Sequence, residues 1–313
     1  MTDILMIAPM HPLCMEEIVK LGTVRRLWEA ADKDAFLAEH GPAIEVVATT
    51  GHHGCPPALM EKLPNLKLIS SYGVGYDAIS VPAATARDVK VTNTPEVLND
   101  AMAEITVGLM VALARRIPEA EAWVRSGDWS SKGNFPLTAE LTGATAGILG
   151  LGRIGKEIAR RLEVMKMNVV YHGRNEQAGQ PYRYYASLTE MAKAVDWLVV
   201  ITPGSAETTK LVNAEVLAAL GPEGRLVNMA RGSVVDEAAL VEALKAGTIG
   251  GAALDVFEDE PRPHPALLDM PNTVLSPHQG SATTKTRAAM GQLVVDNIKA
   301  HIAGQPLLTQ VTE

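Results

Sequence analysis

Three side chains suited to carbonyl chemistry follow short apolar runs late in the chain. Ala230-Arg231-Gly232 comes after the run 226–229, Asp255-Val-Phe-Glu-Asp-Glu260-Pro261 after 249–254, and Ser276-Pro277-His278-Gln-Gly280 after 273–275. Reduction of a keto acid needs these three types. An arginine pairs bidentately with the substrate's carboxylate. A histidine titrates near neutrality and can hand a proton to the developing alkoxide. A carboxylate beside it orients the imidazole and favours its protonated form. Taken singly, each has a plainer role: Arg231 as a cap, Glu260 as a solvated loop acid, His278 as a loop histidine with its bonds satisfied. At the carboxyl ends of neighbouring strands they can face one site, which is where open α/β sheets bind ligands.

The elements that must position them are organised around Thr145-Ala-Gly-Ile-Leu-Gly150-Leu-Gly152-Arg153-Ile154-Gly155. An apolar strand leads into the glycines, a helix follows from near Arg153, and a second strand is expected over 168–172. Gly150 makes the tight turn, Gly152 lets a pyrophosphate approach the backbone, and Gly155 lets helix and strand pack closely. The helix start at Arg153, Ile154 and Gly155 turns N–H groups and the positive end of its dipole toward that pyrophosphate. Strand, glycine turn, helix and second strand together predict a dinucleotide-binding unit.

Apolar runs at 4–8, 44–48 and 66–70 predict three strands of an earlier unit that lacks a phosphate fingerprint, read here as a substrate domain. The strands of the later unit are expected at 197–202, 226–229, 249–254 and 273–275, with helices over 214–220 and 236–246. Strands alternating with helices predict parallel sheets. A helical pattern runs over 100–126 with Ala101, Ile105, Gly108, Leu109, Ala112 and Leu113 on one stripe and a bend at Pro118. It serves as a domain-linking core helix or a subunit contact. A closing helix over 284–303 returns the chain to the first domain. The expected organisation is α/β, a Rossmann cofactor domain (100–284) inserted in a flavodoxin-like substrate domain (1–99 and 285–313).

Composition narrows the class. The 313 residues suit two domains, and 47% hydrophobic with 20% charged residues describe an ordinary globular protein. A net charge of −8 argues against a nucleic-acid surface. Two cysteines imply no disulfide framework, and no apolar run reaches the length of a membrane span, so no membrane partner and a cytoplasmic location are expected. His52 and His53 are adjacent but have no carboxylate or cysteine cluster near them in sequence, a poor ligand set, so no metal is expected there or elsewhere. Trp123 and Trp129 read as packing or interface residues.

These segments resemble the D-isomer-specific 2-hydroxyacid dehydrogenase family. The resemblance rests on Gly150-Leu-Gly-Arg-Ile-Gly155, Asn228-Met-Ala-Arg-Gly-Ser-Val-Val-Asp-Glu237, Leu254-Asp-Val-Phe-Glu-Asp-Glu-Pro261 and Ser276-Pro-His-Gln-Gly-Ser-Ala-Thr283. Ser71-Tyr-Gly-Val-Gly-Tyr-Asp77 and Thr92-Asn-Thr-Pro-Glu-Val-Leu98 also match, so the similarity spans nearly the whole chain. It implies that Arg231 holds the substrate carboxylate, Glu260 partners the histidine and His278 is the acid/base. It also implies that backbone N–H groups of Val74 and Gly75 meet the carboxylate, and that Thr106, Thr202, Pro203, Ala230, Asp255 and Gly280 border the cofactor. Asp255 has a second reading as a residue that orders its loop. Glu260 argues for carbonyl and alcohol chemistry, because the formate-oxidising branch carries glutamine there. The pattern is most similar to the short, unregulated glyoxylate/hydroxypyruvate reductases, and the family's habit implies a homodimer through the 100–126 helix.

One departure bears on the cofactor. NAD-preferring members carry an acid at the end of the second strand to hold the ribose hydroxyl. Here the strand ends Val169-Val-Tyr-His-Gly173-Arg174-Asn175, with glycine in the acid's place and Arg174 next. An arginine pairs with a 2′-phosphate that an acid would repel, so NADPH is expected in preference to NAD. The expected activity is NADPH-dependent reduction of a small 2-keto acid, glyoxylate or hydroxypyruvate. The rivals are an NAD-dependent D-2-hydroxyacid dehydrogenase for a larger substrate and a nucleotide-sensing binding protein of the same fold, which would bind NADPH without turnover.

Overall fold

The computed structural model describes residues 2–312. Contacts divide the chain into one unit of Met1–Leu98 with Ser281–Glu313 and a second of Asn99–Gly280. The sequence places these divisions at 99/100 and 284/285. In the first unit, β1 (Thr2–Met6), β2 (Gly22–Arg26), β3 (Ile44–Thr50), β4 (Leu68–Tyr72) and β5 (Lys90–Thr92) form a parallel sheet in the order β2-β1-β3-β4-β5. That is the flavodoxin-like order. Helix Thr284–Ile302 packs on β4 within this unit. Its buried Asn297 accepts from the N–H groups of Leu308 and Thr309 and so ties down the tail.

The second unit holds β6 (Thr145–Leu149), β7 (Asn168–His172), β8 (Arg183–Tyr185), β9 (Trp197–Val200), β10 (Arg225–Asn228), β11 (Gly251–Leu254) and β12 (Thr273–Leu275). All pair in parallel, in the order β12-β11-β10-β9-β6-β7-β8. Counted from β6 this is the Rossmann order 3-2-1-4-5-6 with one strand added. Leu149, Leu198, Val200, Leu226 and Leu254 enter the core on one face of the sheet, and Ile148, Val199, Val227 and Ala253 enter the core on the other. Burial on both faces is why these strands are continuous apolar runs. The α/β class with two doubly wound parallel sheets is therefore the fold of the chain.

The helix expected over 100–126 is two helices, Asn99–Ala114 and Ile117–Arg125, not one bent one. Arg116 between them is left-handed at φ 48°, and Pro118 lies in the first turn of the second helix. Proline is accepted there because the missing N–H has no intrahelical use, and the break itself falls at the left-handed Arg116, which caps the second helix. Part of the stripe fits the core-helix reading: Leu109 and Leu113, together with Ala103, are buried in the second unit's own core, where the helix packs on helix Arg153–Val164, while Gly108 is exposed. The exposed apolar side chains lie further on, at Ile117, Val124, Trp129 and Leu137.

At the carboxyl ends of β10 and β11 the backbones approach so closely that only glycine fits. A Cβ on Gly232 would lie 1.9 Å from the Phe257 carbonyl oxygen and 2.4 Å from the Glu258 nitrogen. At Gly152 a Cβ would meet nothing within 4 Å. Gly232→Ala is expected to lower the unfolding free energy by about 1–3 kcal/mol, the usual cost of overpacking. Gly152→Ala should stay within about 0.5 kcal/mol of the parent in the absence of ligand. Urea titration of both variants checks this, and equal midpoints would contradict the close contact.

Candidate active site

The glycine turn is built from three different demands. Gly150 has φ 104°, and a Cβ on it would come within 2.9 Å of the Thr202 backbone. One on Gly155 would lie 2.3 Å from the Gly150 carbonyl oxygen, so helix Arg153–Val164 can start against β6 only because that position is bare. Gly152 alone faces open space. No side chain caps the helix at Gly152 and no acid stands in its first turn. An open, uncapped and positively polarised helix start suits a pyrophosphate, and Arg153, Ile154 and Gly155 supply its first N–H groups. Pro203 follows Thr202 in a loop ordered by Thr208, whose hydroxyl donates to the Pro203 carbonyl at 2.8 Å.

Beyond β7 the chain turns through Gly173 and the exposed Arg174. The Gly173 carbonyl accepts from the Tyr184 hydroxyl at 3.1 Å. Gln177 donates from its side-chain amide to the Leu151 carbonyl at 2.8 Å, which fastens this loop to the glycine turn.

The three chemistry-bearing loops are joined through Asp255. It is 1% exposed, and its carboxylate accepts from the Ser276 hydroxyl at 2.6 Å and from the N–H groups of Gln279 and Gly280 at 2.9 and 2.8 Å. Its own N–H donates to Asn228, and its carbonyl accepts from the His278 N–H at 2.8 Å. Gly280 is again a position of close approach, since a Cβ would meet Met102 Sδ at 2.4 Å. These bonds are those of a residue that orders its loop.

Within that frame His278 takes a left-handed backbone, φ 48°. Its Nδ1 lies 2.6 Å from Glu260 Oε2. A carboxylate only accepts, so Nδ1 carries the proton and Nε2 is the nitrogen available to exchange one. The histidine side chain is 44% exposed and the glutamate's 20%. Glu260 is itself oriented by the Phe257 N–H, which donates to Oε1 at 3.1 Å. Arg231 is half-buried at the end of β10, and one of its guanidinium nitrogens donates to the Ala230 carbonyl at 2.7 Å. Asn228 holds this turn from both sides, accepting from the Ala230 N–H and donating to the Arg231 carbonyl. Glu237, nearly buried, accepts from the Glu258 N–H at 3.0 Å and ties the Arg231 loop's following helix to the Glu260 loop.

Sequence reasoning did not single out Asn228, Glu237, Ser276 or Gln177. Each acts on residues distant in sequence or on backbone atoms, so its partner cannot be read from the chain, although Asn228, Glu237 and Ser276 stand within the segments that carry the family resemblance. The remaining expected residues fall as follows. Thr106 is fully buried in helix Asn99–Ala114 and donates to the Met102 carbonyl. Val74 and Gly75 belong to the first unit, in the turn after β4, where the Val74 carbonyl accepts from Asn93. His52 and His53 are exposed in the loop after β3, ring centroids 5.1 Å apart. Partial burial, then the neighbouring His52 and Lys33, push the His53 imidazole below its ordinary range. Among the described residues no group of three or more His, Cys, Asp or Glu is placed to hold a metal ion, and no helix is long and apolar enough to cross a membrane.

Comparison with known proteins matches this geometry to one family. Residues 107–280 match the model for the NAD-binding domain of D-isomer-specific 2-hydroxyacid dehydrogenases. The chain is 42% identical to hydroxyphenylpyruvate reductase of Plectranthus scutellarioides and 41% identical to glyoxylate/hydroxypyruvate reductase A of Arabidopsis thaliana, in each case over 98% of both chains. It superposes with a TM-score of 0.95 and 46% identity on the NADPH-dependent glyoxylate/hydroxypyruvate reductase of Sinorhizobium meliloti, solved with NADP and malonate, covering 99% of this chain and 97% of that one. The chain therefore belongs to the D-isomer-specific 2-hydroxyacid dehydrogenase family, NAD(P)-dependent oxidoreductases of small 2-keto and 2-hydroxy acids.

Proposed function

We propose that this protein is an NADPH-preferring cytoplasmic reductase of small 2-keto acids, glyoxylate and hydroxypyruvate foremost, with His278 and Glu260 as its acid/base pair. The observation that carries the reading is the 2.6 Å contact from His278 Nδ1 to Glu260, which leaves Nε2 as the proton-exchanging atom. The nicotinamide cofactor, when bound, supplies the hydride. His278 gives the proton that the reduced carbonyl oxygen takes up, and Glu260 keeps the ring oriented. Arg231 pairs with the substrate carboxylate, joined by the N–H groups of Val74 and Gly75. Gly150, Gly152, Arg153, Ile154 and Gly155 hold the pyrophosphate, with Thr106, Thr202, Pro203, Ala230, Asp255 and Gly280 bordering the cofactor. The substrate class is supported by relatives named for glyoxylate and hydroxypyruvate, and NADPH by the Sinorhizobium enzyme together with Arg174. The exposed apolar side chains Ile117, Val124, Trp129 and Leu137 suit the interface of a homodimer.

His278→Ala is expected to lower kcat for glyoxylate roughly 100- to 10,000-fold, the range for loss of a general acid, while NADPH binding persists. In Glu260→Gln the carboxylate that accepts from Nδ1 is gone, so the ring loses the partner that fixes its orientation and kcat should fall while the KM for NADPH stays near the parent's. Near-normal turnover in either variant sinks the acid/base assignment.

Arg174→Ala should weaken NADPH by about tenfold and leave NADH nearly unchanged. A charge-assisted bond contributes about 1.5–3 kcal/mol, and screening of an exposed loop holds the effect to the lower end. The ratio of kcat/KM for the two cofactors decides; a parent that prefers NADH ends the assignment. Light scattering at micromolar concentration should give twice the monomer mass, and Trp129→Glu with Leu137→Glu should halve it. A parent monomer refutes the dimer.

A further inference from the structure

The loop carrying Arg174 is pinned at both ends by bonds that no part of the proposed chemistry uses. Between them Arg174, Asn175 and Glu176 are exposed, and a Cβ on Gly173 would meet nothing within 4 Å. An arginine on such a segment, left untethered, gives up much of its freedom when it grips a ligand, and that loss weakens binding. Here the Tyr184 hydroxyl donates to the Gly173 carbonyl at 3.1 Å on one side of Arg174. On the other side Gln177 donates its backbone N–H to the Tyr171 hydroxyl at 2.7 Å and its side-chain amide to the Leu151 carbonyl at 2.8 Å. Tyr171 is 1% exposed, and its ring lies 5.3 Å from that of Tyr184, so both anchors belong to one packed pair. Leu151 stands between Gly150 and Gly152. The Gln177 amide thus fixes the Arg174 segment relative to the turn suited to a pyrophosphate.

We propose that Gln177, working with Tyr184, is a positioning residue for cofactor choice: it holds the 173–177 loop in register with the glycine turn so that Arg174 meets a 2′-phosphate already ordered. The inference rests on the NADPH reading and says where its selectivity is set.

The test is a calorimetric titration of the full-length protein with adenosine 2′,5′-bisphosphate and with 5′-AMP, which carry the adenosine end with and without the 2′-phosphate. The parent should bind the bisphosphate more tightly. Gln177→Met keeps the side chain's length and loses its donor; Tyr184→Phe loses only a hydroxyl. Each should shrink the affinity ratio roughly three- to tenfold, the worth of one hydrogen bond. If Gln177→Met does not fold, the ratio measured for Tyr184→Phe decides alone. A variant ratio equal to the parent's, or an equal loss for both ligands, overturns the clamp while NADPH preference stands. A parent that does not distinguish the ligands overturns the NADPH reading itself, and the clamp with it.

Discussion

The carboxylate of Asp255 is the point at which the loops after β11 and β12 become one structure. A buried carboxylate is tolerated only when donors replace the water it has lost. Here the Ser276 hydroxyl and the N–H groups of Gln279 and Gly280 do so, all from the segment around His278. Asp255 also bonds backward to Asn228 and forward to the His278 N–H through its own backbone. A histidine at φ 48° stands in a conformation that costs on the order of 1 kcal/mol or more for a residue with a Cβ. It persists because this ring of bonds over-determines the loop. The strain lies at the residue whose direction matters most.

From that anchor the demand for close packing spreads outward. Gly232 lets the Arg231 turn lie directly on the Phe257 carbonyl, and Glu237 takes the N–H of the next residue, Glu258. Arg231 and Glu260 are therefore held by backbone contact between their loops rather than by their own side chains alone. General acid catalysis depends on placing a proton within hydrogen-bond reach of one oxygen. A scaffold in which glycine, asparagine and buried acids fix the backbone meets that demand better than side-chain packing on mobile loops.

Much of this was legible in the chain. Strands β6, β9, β10 and β11 declare themselves as apolar runs because both faces of their sheet are covered, and the glycine turn declares itself because each glycine has a steric task. What escaped the sequence were β2, β5 and β8, which are three of the four sheet edges. These edge strands carry polar residues, as in Gly22–Arg26 and Lys90–Thr92, so their pattern is that of a loop. The break at Arg116 was hidden for a different reason. Helical periodicity continues across it, and a proline in a first turn looks the same in sequence as one that bends a helix. The role of Asp255 was visible only as an alternative, because its partners lie 21 to 25 residues away.

Cofactor choice in the proposed reading illustrates how selectivity differs from attraction. Glycine at position 173 removes a repulsion, which by itself admits both cofactors. Arg174 adds an attraction that only the phosphorylated one can use, so discrimination comes from the difference between the two. Yet the arginine is exposed, and an exposed charge pair is weak when both partners are free to wander. The loop reconciles these facts. With Gly173 held by Tyr184 and Gln177 held by Leu151, the freedom lost on binding is reduced before the ligand arrives. An exposed charge then acts with more of its strength, not because water is excluded from it but because its backbone is already in place.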